Sequence, residues 1–323
     1  MATAIGQDTV TSIARRYIMP EIADTIYSSN ILFYRLTKAN KKMVQGGYQI
    51  EHPIQYARPT NVQAYAGYDV LNVAPFDVIR NAVWDWKQYA ATVTVDGLTM
   101  IKTDSPEAIA NLISTNFDIT RMEFEQVLGA DLYAGSASNA KKLDGLADAV
   151  AASGTYGGIS HTNTYWQSKI NSTDALTALD VDKMLTLFGQ LTIGREHPTL
   201  IVGRQAVYNK YASLVYGTSG ANYDITVPAA GSDEILAQAG FTNLLFNNVP
   251  FVVDSQVDAG SGSNGKLYFL NENHLSLVVS PRADMALEEF QTPVNQDAMV
   301  AKILFAGNVC AWNPRLQGAF TAL

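Results

Sequence analysis

Cysteine is almost missing from this chain: Cys310 stands alone in 323 residues. That excludes a disulfide framework and a thiolate metal site within one chain, and leaves Cys310 as a small buried hydrophobe in an apolar run. The four histidines, His52, His161, His197 and His274, are scattered. None stands at the i, i+4 spacing or beside an acid that a metal site requires. Charge is thin as well, at 16% of residues against about 25% in an ordinary soluble domain. Much of the surface is therefore expected to be covered by something other than water. No apolar run approaches the roughly 20 residues that span a bilayer. Residues 1–8 are polar and lack a signal-peptide layout, so folding in a cytoplasm and no membrane contact are expected. With a net charge of −8 and a pI near 5.0, the chain is no general nucleic-acid binder. An acidic chain can still enclose DNA without gripping it.

Catalytic signatures are missing too. There is no Gly-x-Ser-x-Gly elbow and no P-loop. Gly260-Ser261-Gly262-Ser263-Asn264-Gly265 fits the dinucleotide-binding spacing, but that motif needs a helix after it to hold the pyrophosphate. Here 266–270 reads as a strand, so the glycines make a loop. Glu288-Glu289 and the Glu123/Glu125 pair lie on polar stretches, with no apolar pocket to split their pKa values. Asn171-Ser172-Thr173 is a glycosylation sequon, idle without secretion. The aromatic stretch 83–89 has a surface that bases stack on, yet Lys87 is its one cation, so packing is the better reading. No enzyme activity, cofactor or metal is expected.

What is present is a long helix over 104–135. Asp104-Ser105-Pro106-Glu107 supplies a cap, a proline in the first turn and an early acid. Ile109, Leu112, Ile113, Phe117, Phe124, Val127, Leu128 and Leu132 recur at helical spacing, with Arg121, Glu123, Glu125 and Asp131 on the wet side. Gly135 supplies the left-handed stop. At about 1.5 Å per residue the helix is roughly 45 Å long and must lie across something.

Before it, residues 1–45 are basic on an acidic chain, with Arg15, Arg16, Arg35, Lys38, Lys41 and Lys42. Their short helical pieces break at Pro20 and at Ser28-Ser29-Asn30, so this arm is expected to lie on another surface, with an N-terminal helix pair as the alternative. Residues 46–97 read as a projecting hairpin: a strand with Tyr48, Ile50 and Ile54, a polar aperiodic 57–76, and a return strand over 78–95. So long a hairpin is an edge liability unless a neighbouring subunit covers it. After the helix come glycine-rich turns (141–173), a helix capped by Asp180, a buried strand at 199–202, a short helix at 205–211 and a loop at 216–231. Strands follow at 244–246, 251–253, 267–270 and 275–279. The tail 299–323 reads as strands interrupted at Gly307-Asn308 and Asn313-Pro314. The class is α+β.

From 246 onward the pattern becomes specific. Phe-Asn-Asn-Val-Pro-Phe-Val-Val-Asp-Ser (246–255), a glycine-rich loop, Leu-Tyr-Phe-Leu-Asn (267–271) and Leu-Ser-Leu-Val-Val (275–279) closely resemble the axial domain of tailed-bacteriophage major capsid proteins. Leu143-Asp144-Gly145-Leu146, Ser153 to Gly158, Trp166-Gln167-Ser168, and Pro198 to Val202 followed by Tyr208 and Tyr211 are similar too.

The resemblance implies the Hong Kong 97-type fold. The order would be N-terminal arm (1–45), extended loop (46–97), peripheral domain with spine helix (98–139), axial domain (140–280) and peripheral return strands (281–323). It implies hexamers and pentamers tiling an icosahedral head around double-stranded DNA, with portal, scaffolding and decoration proteins as partners. A spine beginning near 104 leaves no room for a long N-terminal scaffolding segment, so a separate scaffold, or none, is expected. Residues 46–86 contain no lysine, so the covalent cross-link some members form through that loop is not expected. Arg58, near the loop tip, is a candidate for an intersubunit ion pair. Arg15, Arg16, Lys41 and Lys42 are candidates to meet neighbouring acids or DNA. An encapsulin-type shell, packaging cargo enzymes, is the alternative on the same fold.

Overall fold

The computed structural model describes residues 30–59, 61–102, 106–136, 139–216, 244–258, 260, 264–293 and 297–323. Arg15, Arg16, the Asp104 cap and the loop expected at 216–231 lie, wholly or nearly so, outside them.

The chain enters through α1 (Ile31–Ala39), where the Asn30 side chain accepts from the Phe33 N–H. Ile31, Leu32, Phe33 and Leu36 are buried in the main core. Next, β1 (Lys41–Met43) pairs in parallel with β12 (Leu275–Val279). Residues 30–36 therefore pack in this chain's own core and 41–43 join its sheet, where the basic pattern suggested an arm lying elsewhere. The four buried apolar side chains of α1 decide the matter, and Arg35 turns inward with them.

The projecting unit is shorter as a ladder than expected. Strands β2 (Ile50–Gln55) and β3 (Ile79–Trp84) pair antiparallel in six registers. The return strand breaks at Asp85-Trp86, and β4 (Lys87–Asp96) leaves the hairpin to join the body. It pairs with β14 (Ala298–Ala311) through ten registers. A short α2 (Gly97–Lys102) leads to the spine, α3 (Pro106–Ala134). Gly135 follows at φ +80°, where a left-handed residue ends a helix.

Two side chains of α3 fall on the opposite side from expectation. Val127 is 40% exposed and Asp131 only 4%. Asp131 is buried because the Tyr89 hydroxyl and the Lys142 ammonium both donate to its carboxylate, at 2.9 and 2.7 Å.

The strands β1, β12, β14 and β13 (Ala286–Leu287) form one sheet, with β4 on the far side of β14. Its β4–β14 part carries Val93, Val95, Ala301 and Ile303, which pack on Ile113 and Phe117 of the spine. Strand β14 runs unbroken through Gly307-Asn308, where an interruption was expected. A side chain at 307 would approach the Val278 carbonyl at 2.6 Å, so only glycine lets the strands close there. The Asn308 amide is fully engaged with Asp85, Asp144 and the Val309 N–H.

Between the spine and the second sheet lie α4 (Leu146–Ala149) and the small hairpin β5 (Thr155–Tyr156) with β6 (Ile159–Ser160). The second sheet takes β7 (Lys169–Asn171), β8 (Leu200–Gly203), β9 (Leu244–Phe246), β10 (Val249–Val253), β11 (Leu267–Leu270) and β15 (Gly318–Phe320). Its order is β7-β15-β11-β8-β10-β9. One face packs under α5 (Val181–Leu191) and α6 (Gln205–Tyr216), the other joins the main core. A two-residue turn, Asn247 and Asn248, both at positive φ, joins β9 to β10, as a hairpin of right-handed twist requires.

The chain-order boundary at residue 280 blurs here. Strand β12 lies in the sheet of β14, and the C-terminal β15 lies in the six-stranded sheet. The division at residue 280 does not follow the sheets, because strand partners are chosen by buried faces and not by order along the chain. Also, Leu267–Leu270 is a strand directly after Gly265, so a helix N-terminus for a pyrophosphate does not follow the glycines.

Candidate assembly surface

The hairpin is seated on the body by aromatic rings. Along its inner face Ile50, Ala82 and Trp84 are buried. Trp84 meets Tyr156 and Trp312 edge-on, at ring-centroid distances of 5.7 and 5.3 Å. His52 lies 4.3 Å from the Trp312 ring, and Tyr56 lies 5.6 Å from Tyr165. The Val83 N–H donates to the Gly157 carbonyl, so backbone also holds the base.

Beyond Gln55 the two limbs separate from any ladder and run side by side, tied by side-chain amides. Asn61 donates to the Ala74 carbonyl and Gln63 to that of Val70. The turn is at Ala66 to Asp69, closed by a backbone bond of 2.7 Å. Along these limbs Val62, Tyr65, Tyr68, Val70, Val73 and Phe76 stand exposed, several almost entirely. A lone exposed apolar side chain is ordinary, but these six with Leu71, seven on one projecting loop, form the kind of surface that a partner covers. The polar reading of 57–76 missed them because they follow no period. Their number in so short a stretch was the available signal.

The spine offers a second apolar surface, with Ile119 and Met122 more than half exposed on its outer side. Against these surfaces the expected contact residues are spread out. Arg58 is exposed but stands three residues beyond β2, away from the turn at 66–69. Lys41 pairs within the chain with Asp284. Lys42 places its ammonium 4.6 Å from the centre of the Trp312 ring.

A cleft of about 500 Å³ lies between the hairpin base and α4, lined by Lys87, Asp144, Asp148 and Gly157 among others. Its acids are engaged: Asp144 with Lys87 and Asn308, Asp148 with the Ser136 N–H. Cys310 is buried, and burial pushes its thiol well up. Among the described residues no three His, Cys, Asp or Glu side chains converge to hold a metal. Among them, too, no helix is long and apolar enough to cross a membrane.

No protein-family model and no curated protein sequence matches the chain. Solved structures do. The capsid asymmetric unit of cyanophage A-1(L) matches with a TM-score of 0.67 at 17% identity, covering 93% of this chain and 94% of that one. The holo-SrpI encapsulin of Synechococcus elongatus PCC 7942 matches at 0.57 and 11% identity, covering 89% and 86%. The capsid of the Myoviridae phage XM1 matches at 0.57 and 9% identity, covering 90% and 92%. Likeness of this extent over nearly whole chains defines the fold. The chain has the α+β Hong Kong 97-type fold of capsid and encapsulin shells.

Proposed function

We propose that this chain is the major capsid protein of a tailed bacteriophage. It assembles with copies of itself, as hexamers and pentamers, into an icosahedral head around double-stranded DNA. Its role is structural, and its place is the virion shell, built in the host cytoplasm. Portal and scaffolding proteins, and a decoration protein outside, are its expected partners. The observation that carries this reading is the projecting loop, whose row of exposed apolar side chains stands on a fold shared with shell proteins.

The physical logic is multiplicity. Fully burying one such side chain contributes about 1.5–3 kcal/mol. Several per loop, repeated at every subunit contact, close a shell without any single dominant contact. The acidic chain would contain DNA without gripping it, leaving basic residues such as Arg15 and Arg16 to meet neighbouring acids or DNA.

The likeness to an encapsulin supports one rival on the same fold, a shell around cargo enzymes. Nuclease-treated particles distinguish the two. Protected double-stranded DNA is the expected content; a co-purifying enzyme with no DNA would establish the rival.

A further inference from the structure

Trp312 has two cationic or protonatable neighbours. His52, on β2 of the hairpin, lies 4.3 Å from its ring with a tilt of 46°. Lys42, next to the sheet edge on β1, sits 4.6 Å from its centre. The indole itself is fixed, its N–H donating to Ser276 on β12 and its ring set edge-on against Trp84. One immobile ring therefore joins the hairpin, the body and a permanent cation.

We propose that His52 is a proton-operated latch: neutral, it holds the β2–β3 hairpin down on Trp312, and protonated, it is driven off, freeing the hairpin base to reorient. This rests on the fold and the ring geometry, independently of what the shell contains.

The charges around His52 point one way. Lys42 shares the indole with it. Arg80 stands on the same face of the hairpin, diagonal to it, since His52 pairs with Ala82 and Ile54 with Arg80. Trp312, Trp84, Ala82 and Ser276 are uncharged, and Glu51 falls on the opposite face, near Asn81. A protonated imidazole on an indole ordinarily gains a cation–π attraction. Here an ammonium already sits against that ring, so the second cation gains little and is repelled by the first.

Partial burial, and then Lys42, hold the His52 ring below the ordinary value of 6.5. A group whose protonation is opposed in the docked state supports docking fully at higher pH. That support is lost as pH falls below about 6.5, at no more than about tenfold per pH unit for one proton.

The test is hydrogen exchange of the full-length chain at pH 7.5 and 5.5, each normalised to an unstructured reference peptide. The hairpin amides of 50–55 and 79–84 are expected to lose protection several-fold at the lower pH while those of β8 and β11 do not. His52→Gln should abolish that loss, whatever His161, His197 and His274 do. Lys42→Met should shrink it, because the opposing charge is gone, and it decides the matter should His52→Gln not fold. Equal hairpin protection at both pH values, or a loss unchanged in both variants, would overturn the proposal.

Discussion

At the scale of single residues, the fold depends on polar groups that complete what strands and helices leave open. Beyond the end of β4, the edge of β14 would show bare backbone at Val309 and Ala311. The Tyr156 hydroxyl closes it, donating to the Val309 carbonyl at 3.1 Å and accepting from the Ala311 N–H at 2.9 Å. Tyr156→Phe is expected to leave both groups unsatisfied and cost about 1–3 kcal/mol, read from the urea midpoint of the full chain. The Arg35–Glu272 pair is a second case: its side chains are 8% and 9% exposed, and two bonds of 2.7 Å join them. Thr199 donates to the same carboxylate. Arg35→Ala leaves a buried carboxylate without its charge partner and should cost about 3–5 kcal/mol. Arg35→Met with Glu272→Leu should cost less than that, and thermal unfolding of both variants checks the order.

At the scale of elements, the projecting loop should separate folding from association. Tyr68, Val70 and Val73 are largely exposed and stand on limbs tied to each other rather than to the core. Replacing all three by Ser should change the unfolding free energy of the unassembled subunit by no more than about 0.5 kcal/mol per site. Assembly, followed by sedimentation, should be lost. Elements with a local signature were legible in the sequence. The spine announced itself by its period and by Gly135, and the link between the strands at 244–246 and 251–253 by those strands. The turn is two residues shorter than the 247–250 link expected, because the second strand begins at Val249. The rejected glycine motif was settled by the strand beginning at Leu267. What was not legible depends on partners distant in the chain. Asp131 reads as a wet helix position until Tyr89 and Lys142 arrive beside it. Gly307-Asn308 reads as a break until the Val278 backbone and the Asp85–Asp144 acceptors appear. The basic residues of 30–43 suggested an arm because Glu272 and Asp284, which pair with Arg35 and Lys41, lie more than two hundred residues away.

At the scale of the whole molecule, the two sheets and the long spine form a single body from which one loop projects. The chain's low charge, 16% of residues, is what the proposed burial of its flanks against copies of itself would require. The loop through residue 86 has no lysine, so in the proposed shell an amide link through a loop lysine is not expected. Boiled particles should therefore run as one band of subunit mass on denaturing gels. Ladders of linked subunits would show a covalent shell instead.

The most direct measurement is a cryo-electron microscopy reconstruction of particles purified with this chain. A closed icosahedral lattice of hexamers and pentamers is expected, with residues 57–76 of each subunit buried on a neighbour and DNA inside. Subunits that remain monomeric with every neighbouring gene product supplied, or a lattice in which 57–76 touches no other subunit, would contradict it.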